Sequence, residues 1–245
     1  MPIKDNFSQQ GDKYAKYRPN YPKEVFDFLN ATLKNKHTAW DCGTGNGQVA
    51  FALAKTFDHV FATDISQSQI AHAFHAENIS YSVQAAEQTN FTDKQFDLIT
   101  VAQAIHWFDC SRFYAEVQRT AKQNALLSVM GYGRVQVSKK IDDAINNFYQ
   151  NIIGPYWDAE RQYVEENYNT IPFPFDEINT PNFENRQEWT LAHFIGYLNT
   201  WSAVKKFIQQ NGFNPVSNFR AEIEPLWGSK KREVIFPILL RVGRL

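Results

Sequence analysis

Apolar residues change their spacing repeatedly along the first half of the chain. Apolar positions three and four residues apart run from Val25 to Leu33, which predicts an amphipathic helix. Short apolar runs then alternate with further helical spacings. We predict strands over 38–42, 59–63, 79–83, 96–102 and 125–130, and helices over 49–57, 66–76 and 110–122. This alternation predicts a mostly parallel, Rossmann-like α/β sheet with helices on both faces.

The second half of the chain follows a different pattern. After Gly133, the segment 135–210 has helical spacings interrupted by prolines, which predicts a helical insertion. Residues 219–227 and 233–245 are predicted as the two strands of a C-terminal antiparallel hairpin. Pro237 interrupts the second strand, because proline cannot donate a hydrogen bond to the ladder.

Length and composition favour one folded domain. The chain has 245 residues, of which 43% are hydrophobic and 21% charged, an ordinary globular composition. Within a single domain over 1–245 we expect four parts. These are an N-terminal helical cover at 1–34, a ligand-binding core at 35–134, a helical substrate lid at 135–212 and closing strands at 213–245.

Charge and cysteine content exclude several classes of partner. Lys and Arg number 25 against 26 Asp and Glu, so the net charge of -1 gives no field that attracts nucleic acid. Cys42 and Cys110 are too few for a disulfide framework and lack zinc-site spacing, so we expect no metal and a cytoplasmic location. No apolar run has the length of a membrane span, and nothing indicates an oligomeric state.

The strongest chemical signal is the segment WDCGTGNGQ at 40–48. Its glycines, Gly43, Gly45 and Gly47, follow a predicted strand and precede a predicted helix, so the backbone can approach a ligand closely. The third glycine comes one residue earlier than in the dinucleotide pattern G-x-G-x-x-G. Asp64, at the end of the second strand, can accept hydrogen bonds from ribose hydroxyls or cap the next helix. Together these features indicate a nucleoside-containing cofactor, and a turn without a ligand stays open as the alternative.

Four short motifs resemble the class I S-adenosylmethionine-dependent methyltransferases. They are D-x-G-x-G-x-G at 41–47, DIS at 64–66, AAE at 85–87 and FDLI at 96–99. The segments 7–22 and 101–109 are similar to the branch that includes trans-aconitate methyltransferase-like proteins. The resemblance implies S-adenosylmethionine as the cofactor of the core at 35–134, and methyl transfer to a small-molecule acceptor such as a carboxylic acid.

The resemblance also implies roles for individual side chains. Asp64 would bind the ribose, Ile65 and Ala86 would contact adenine, and Glu87 would lie near the adenine amino group. The remaining cofactor-binding residues are Asp41, Gly43, Thr44, Gly45 and Gln103, of which 43–45 and 103 would line the methionine end. The chain departs from the family pattern at Asn46, between two glycines, and at Ala85, where an acidic residue is common.

Residues on either side of the core are candidates for acceptor binding and catalysis. The Arg18 guanidinium could bind a carboxylate of the cofactor or of the acceptor, or it could be a surface charge. Tyr14 and Trp107 are candidate substrate-binding aromatics, whose faces also attract a sulfonium cation. His106 is the candidate catalytic base, although a carboxylate nucleophile would need none.

Three other functions are alternatives to methyl transfer to a small molecule. A nicotinamide-dependent oxidoreductase would require the G-x-G-x-x-G spacing that this turn lacks. An amino-group methylase of nucleic acid would show an Asn- or Asp-Pro-Pro-aromatic motif after the fourth strand, where this chain has QAIH at 103–106. A non-catalytic S-adenosylmethionine-binding or interaction protein remains open.

Overall fold

The computed structural model describes residues 17–245, so the candidate Tyr14 lies outside the described residues. The strands are β1 Thr38–Cys42, β2 His59–Asp64, β3 Ile79–Val83, β4 Phe96–Ala102, β5 Ala121–Tyr132, β6 Asp176–Ile178, β7 Glu184–Trp189 and β8 Arg232–Arg244. The α-helices are α1 Lys23–Thr32, α2 Gln48–Leu53, α3 Gln67–Ala71, α4 Cys110–Thr120, α5 Lys139–Asn147, α6 Arg161–Glu165, α7 Leu191–Leu198, α8 Ser202–Asn211 and α9 Pro215–Trp227. Among the described residues, no helix combines the length and the apolarity needed to cross a membrane.

The strands form one twisted sheet whose first five members are parallel. The order is β3-β2-β1-β4-β5-β8-β6, and β7 pairs with β8 outside this path. β1 to β5 pair in parallel, whereas β8 is antiparallel to β5. This arrangement confirms the predicted Rossmann-like fold class. The order reverses between β1 and β4, and ligands of open α/β sheets bind at the carboxyl ends of strands beside such a reversal.

Both faces of the parallel sheet are buried. Trp40 and Ile99 pack into one apolar cluster, while their strand neighbours Ala39 and Leu98 pack into a second. Successive side chains of a strand point to opposite faces, so each cluster lies on its own side of the sheet. The observed bounds of β1, β3 and β4 are those predicted, because these strands are short apolar runs with clear ends.

The predicted strand over 219–227 is wrong. Pro215–Trp227 is helix α9, and the Asn214 side chain caps it by accepting a hydrogen bond of 2.9 Å from the amide of Val216. Apolar residues three and four positions apart in this helix are buried, namely Val216, Phe219, Ile223 and Trp227. The helical period was hidden because Phe219, Ala221 and Ile223 also alternate with polar residues, as in a strand.

The antiparallel C-terminal pair consists of β7 and β8. Both β6 and β7 lie within the insertion, which was predicted as helical throughout. Pro237 is tolerated in β8 at the point where pairing with β5 ends. Its carbonyl accepts a hydrogen bond from the amide of Gly133, and the ladder with β5 begins only at Ile238.

Three helices end earlier than predicted, and the first of them, α2, ends at Leu53 and not at 57. The Ser66 side chain caps α3, as expected, but the helix ends at Ala71 and not at 76. The amide of Phe74 instead donates a hydrogen bond of 3.0 Å to the carbonyl of Asn46 in the glycine turn. At the other end of the core, α4 stops at Thr120 and β5 follows without a loop.

Candidate active site

A cavity of about 190 Å³ opens where β1, β2 and β4 end. Its walls include the glycine turn after β1, residues 64–66 after β2 and residues 102–104 at the end of β4. It therefore lies at the reversal of strand order, where such sheets bind ligands. Most of the predicted cofactor-binding residues line it, namely Gly43, Thr44, Gly45, Asp64, Ile65, Ala86, Glu87 and Gln103.

The turn after β1 has a backbone that favours glycine. The φ angle is +66° at Gly43, +55° at Gly45 and +80° at Gly47, a region that other residues adopt at a cost. A Cβ on Gly43 would lie 2.7 Å from the Cβ of Ala104, whereas a Cβ on Gly45 would have no atom within 4 Å. The turn therefore packs tightly against the end of β4 and leaves open space beside Gly45.

Asp41 lies beneath the turn and is not part of the cavity wall. Its buried carboxylate accepts hydrogen bonds from the hydroxyls of Thr44, at 2.5 Å, and Thr100, at 2.7 Å. The amide of Ala50 in α2 donates a third, at 3.1 Å. Burial raises the pKa of Asp41 to about 6, although these hydrogen bonds lower it. The structure therefore gives Asp41 a positioning role, whereas the resemblance implied that it binds the cofactor.

Asp64 connects the glycine turn to the end of β2. One carboxylate oxygen accepts a hydrogen bond of 2.8 Å from the amide of Gly45, and the other accepts one of 2.9 Å from the amide of Ser66. Asp64 also lines the cavity, and an acidic side chain at the end of the second strand can bind ribose hydroxyls. Ile65, the next residue, is 40% exposed although it is a large apolar side chain. Both features suit a bound nucleoside.

Asn46 is a site residue that the sequence reasoning missed. Its side chain is only 6% exposed, and its Nδ2 has no hydrogen-bond partner among the described residues. Asn46 lines the cavity, and a buried amide without a partner costs free energy unless a ligand or water satisfies it. The signal in the sequence is a polar residue between two glycines, where the chain departs from the motif that it resembles.

Gln103, directly after β4, has an unusual backbone. Its φ is +55°, and such conformations in residues other than glycine are uncommon and cluster at functional sites. Its amide donates to the carbonyl of Met130, and its Nε2 donates to that of Tyr132 at 3.3 Å. On the opposite wall, Glu87 accepts a hydrogen bond from the amide of Asp109. Both side chains are thus held in place at the cavity.

A second, smaller cavity of about 50 Å³ adjoins the first. The two cavities share four lining residues, which are Arg18, Gln103, Trp107 and Tyr132. We call these the shared wall. The rest of the second cavity is formed by His106 and by the insertion, through Trp157, Asp158, Arg161, Tyr197, Trp201 and Ser202. The insertion therefore encloses a separate space beside the larger cavity.

Arg18 is held firmly at the junction of the two cavities. Its Nη1 donates to the Tyr132 hydroxyl at 2.8 Å, and its Nε donates to the Thr200 hydroxyl at 2.9 Å. The guanidinium carbon lies 5.5 Å from the ring centroid of Tyr197. Of the predicted substrate-binding residues, Arg18 and Trp107 therefore meet at the shared wall, while Tyr14 is outside the described residues.

His106 lines the second cavity only. Burial lowers its pKa to about 3, and the positive charge of Arg161 adds to this effect. The Tyr168 hydroxyl lies 3.3 Å from His106 Nδ1. The imidazole is therefore neutral near pH 7, and when Tyr168 donates to Nδ1 the ring proton is on Nε2.

Comparisons with known proteins identify the family that this chain is similar to. Residues 40–129 match the family model of a methyltransferase domain. The chain is 29% identical to a candidate methyltransferase of Dictyostelium discoideum, over 98% of this chain and 95% of that protein. It is 35% identical to the solved structure of a candidate type II methyltransferase from Anaeromyxobacter dehalogenans, with a TM-score of 0.87 and coverage of 93% of this chain and 98% of that one.

The chain belongs to the class I S-adenosylmethionine-dependent methyltransferases. It is an enzyme of this family, and its cofactor is S-adenosylmethionine. The residues at the larger cavity suit that cofactor. Gly45 leaves room for it, Asp64 lines the cavity at the end of β2, and Asn46 offers a buried donor without a partner among the described residues.

Proposed function

We propose that this methyltransferase methylates a small carboxylic acid, which binds in the second cavity. The observation that supports this most directly is the pair of adjoining cavities with a shared wall. The larger is lined by the glycine turn and Asp64, which suit the nucleoside cofactor, and the smaller adjoins it on the side of the insertion, where the acceptor would bind. In this proposal the segment 135–212 is the lid that shapes the acceptor site.

The cofactor has a defined orientation in this proposal. Asp64 binds the ribose hydroxyls, Ile65 and Ala86 flank the adenine, and Glu87 lies near its amino group. The methionine end lies against Gly43, Thr44, Gly45 and Gln103, of which Gln103 belongs to the shared wall. Gln103 lines both cavities, so this orientation brings the reactive end of the cofactor next to the acceptor.

Positive charge around the second cavity favours an acidic acceptor. Arg18 and Arg161 both line this cavity. Lys205 lies close by, and its pKa is lowered by burial and by the charge of Arg18. The one carboxylate among the lining residues, Asp158, forms an ion pair of 2.6 Å with Lys206. An anion in the cavity would offset this excess of positive charge, although the whole chain has a net charge of -1.

The chemistry places few demands on the protein. When bound, S-adenosylmethionine supplies an electrophilic methyl group, whose transfer to a carboxylate oxygen forms a C–O bond, breaks the methyl–sulfur bond and leaves the electron pair on sulfur. Such a reaction needs orientation and the exclusion of water more than proton transfer. Trp107, Trp157 and Trp201 line the second cavity and supply apolar surface that a bound acceptor would cover.

His106 has a different role in this proposal from the catalytic base suggested by the sequence. A base works best when its pKa lies near the working pH, and the pKa of His106 is far below it. A neutral imidazole on the cavity wall can instead donate one hydrogen bond that orients the acceptor. A carboxylate nucleophile requires nothing more.

The finer family placement is part of the same proposal. We place the enzyme in the branch that includes trans-aconitate methyltransferase-like proteins, because of the similar segments at 7–22 and 101–109. Methylation of nucleic acid is not part of it, since neither the small cavity nor the net charge suits such a substrate.

The test is an acceptor screen with purified protein and S-adenosylmethionine. The panel contains trans-aconitate, succinate, glutarate and benzoate, beside duplex DNA and an unfolded protein. Formation of S-adenosylhomocysteine and of the methyl ester is followed by mass spectrometry. We expect turnover with at least one small acid; methylation of DNA or protein with no acid turned over would contradict the proposal.

A further inference from the structure

Arg161, the first residue of α6, lines the second cavity but not the first. Its Nε donates a hydrogen bond of 2.9 Å to the hydroxyl of Tyr149, which itself donates to Glu165 at 2.5 Å. The guanidinium carbon lies 5.0 Å from the ring centroid of Trp157. The lid therefore fixes the Nε edge of the guanidinium through Tyr149 and one of its faces through Trp157.

The other edge of this guanidinium has no protein partner. In the described part of the chain, Nη1 and Nη2 of Arg161 make no hydrogen bond or ion pair. By contrast, Arg119, Arg186 and Arg241 each form ion pairs with carboxylates. A guanidinium that lines a cavity, is oriented by its neighbours and lacks a carboxylate is arranged to accept one from a ligand.

Trp157, whose ring packs against the same guanidinium, carries a second donor without a partner among the described residues. Its indole Nε1 is buried and has no hydrogen-bond partner among the described residues. Trp157 lines the second cavity and lies directly beneath the Arg161 guanidinium. Two neighbouring donor groups without acceptors, one of them charged, form a site that suits an anion.

This donor pair lies away from the cofactor cavity. Arg161 and Trp157 line only the second cavity, whereas Arg18 and Gln103 line both. An acceptor atom that receives the methyl group must lie at the shared wall. A carboxylate bound by Arg161 is therefore a different group of the same molecule.

We infer that Arg161 and Trp157 bind an anchoring carboxylate of the acceptor, remote from the atom that is methylated. The inference rests on the proposed function and deepens it. The acceptor is a small acid with two functional groups, one carboxylate at Arg161 and one nucleophilic oxygen at the shared wall near Arg18. Arg161 is then a residue that determines specificity by selecting acids with a second, distal carboxylate.

The test compares four variants with the unmodified enzyme. Arg161→Gln removes the charge, Arg161→Lys keeps the charge without the planar fork, and Trp157→Phe removes only the N–H. Arg134→Gln is the matched control, because Arg134 also lies over the Tyr149 ring, at 5.6 Å, but lines neither cavity. Thermal unfolding verifies that each variant is folded.

The probes are the dicarboxylic acids turned over in the acceptor screen and their monoamides. For the diacid we expect Arg161→Gln to raise KM about 10- to 100-fold, the usual effect of losing a hydrogen-bonded charge pair, with kcat changed by about threefold at most. Trp157→Phe should raise KM about 3- to 10-fold. Arg161→Gln should also abolish the preference for the diacid over the monoamide that lacks the distal carboxylate, and Arg134→Gln should retain it.

Binding supplies a readout that does not depend on turnover. Calorimetric titration of the diacid into enzyme saturated with S-adenosylhomocysteine should show the same loss of affinity in Arg161→Gln. If acids are methylated but Arg161→Gln and Trp157→Phe behave like Arg134→Gln, the anchoring role is wrong and the proposed function stands. If no acid is methylated by the unmodified enzyme, the proposed function fails and this inference fails with it.

Discussion

The backbone amide of Gly45 donates a hydrogen bond of 2.8 Å to the carboxylate of Asp64, nineteen residues further along the chain. This bond joins the glycine turn after β1 to the end of β2. The two sequence features that indicated a nucleoside cofactor are therefore one structural unit. The energetic consequences of this unit can be tested separately at the turn, at Asn46 and at Asp64 itself.

Replacing Asn46 by Ala should separate cofactor affinity from stability. The variant loses a donor to the cofactor, so the Kd for S-adenosylmethionine should rise about 3- to 10-fold. The unfolding free energy without cofactor should not fall by the usual cost of a lost hydrogen bond, because Nδ2 has no partner in the described protein. Calorimetry and urea unfolding measure the two quantities.

Asn78→Ala is the matched control for that substitution. Asn78 Nδ2 donates to the carbonyls of Ala54 and Phe57, away from the cavity. Its loss should lower the unfolding free energy by about 1–2 kcal/mol and leave the cofactor affinity unchanged. The same pattern of effects for Asn46→Ala and Asn78→Ala would contradict the role given to Asn46.

Two glycine substitutions in the turn should differ in stability. Gly43→Ala and Gly45→Ala both place a side chain at positive φ, at a cost of about 1–2 kcal/mol. Only Gly43→Ala also brings its Cβ to 2.7 Å from Ala104. We expect the unfolding free energy to fall further in Gly43→Ala, and the double variant with Ala104→Gly to recover the difference. Equal losses without recovery in the double variant would show that the close contact is unimportant.

His106 should make the folded state sensitive to acid. Its folded pKa, about 3, lies below the unfolded value, so the unfolded chain binds a proton more readily. The resulting stability is present above about pH 6.5 and is lost as the pH falls towards 3. Urea unfolding at about pH 7 and about pH 4.5 should show a smaller pH dependence in His106→Gln than in the unmodified protein.

The control for this prediction is His72→Gln, since His72 is an exposed residue at the end of α3. Asp41 acts in the opposite sense, because its folded pKa of about 6 is above the unfolded value. Its contribution is present in acid and is lost as the pH rises through about 6. Asp41 is present in both proteins, so its contribution cancels when the unmodified protein and His106→Gln are compared at the same pH. The same pH dependence in both proteins would contradict a buried neutral His106.

The cap of α9 tests the part of the fold that the sequence pattern misassigned. Asn214→Ala removes the hydrogen bond from the amide of Val216 and the one that Asn214 Nδ2 donates to Asn199 Oδ1, and should lower the unfolding free energy by about 1–2 kcal/mol. Ser217→Ala, on the exposed side of the same helix, should change it by less than about 0.5 kcal/mol. Equal effects in the two variants would argue against the helix cap.

The parallel core was predictable because its signals are local. β4 is buried along nearly all of its length and most of its residues are apolar, and the glycine turn and Asp64 stand at the ends of adjacent strands. The helix α9 was missed because apolar residues in its middle alternate with charged ones, as they do in a strand. There, tertiary packing of Phe219 and Ile223 decides between two periods that the sequence supports equally.

The acceptor site was much less predictable than the cofactor site. Arg161 and Trp157 have no motif around them, and they reach His106 only because the insertion folds back over the end of the sheet. The unpaired donors Asn46 Nδ2 and Trp157 Nε1 are likewise properties of burial, which a single sequence does not display. The glycine turn was therefore predictable from a local motif as part of the cavity wall, whereas Arg161 and Trp157, which line the second cavity through tertiary packing, were not.

The most direct test is a calorimetric titration of S-adenosylmethionine, beside NAD, into the unmodified protein, Asp64→Ala and Asp58→Ala. Asp58 precedes the same strand at its far end and forms an exposed pair with His37, so it is the matched control. We expect saturable binding of S-adenosylmethionine with no heat from NAD, a Kd raised about 10- to 100-fold in Asp64→Ala, and no change in Asp58→Ala. Folded protein that does not bind S-adenosylmethionine, or binds it equally well without Asp64, would contradict the cofactor site described above.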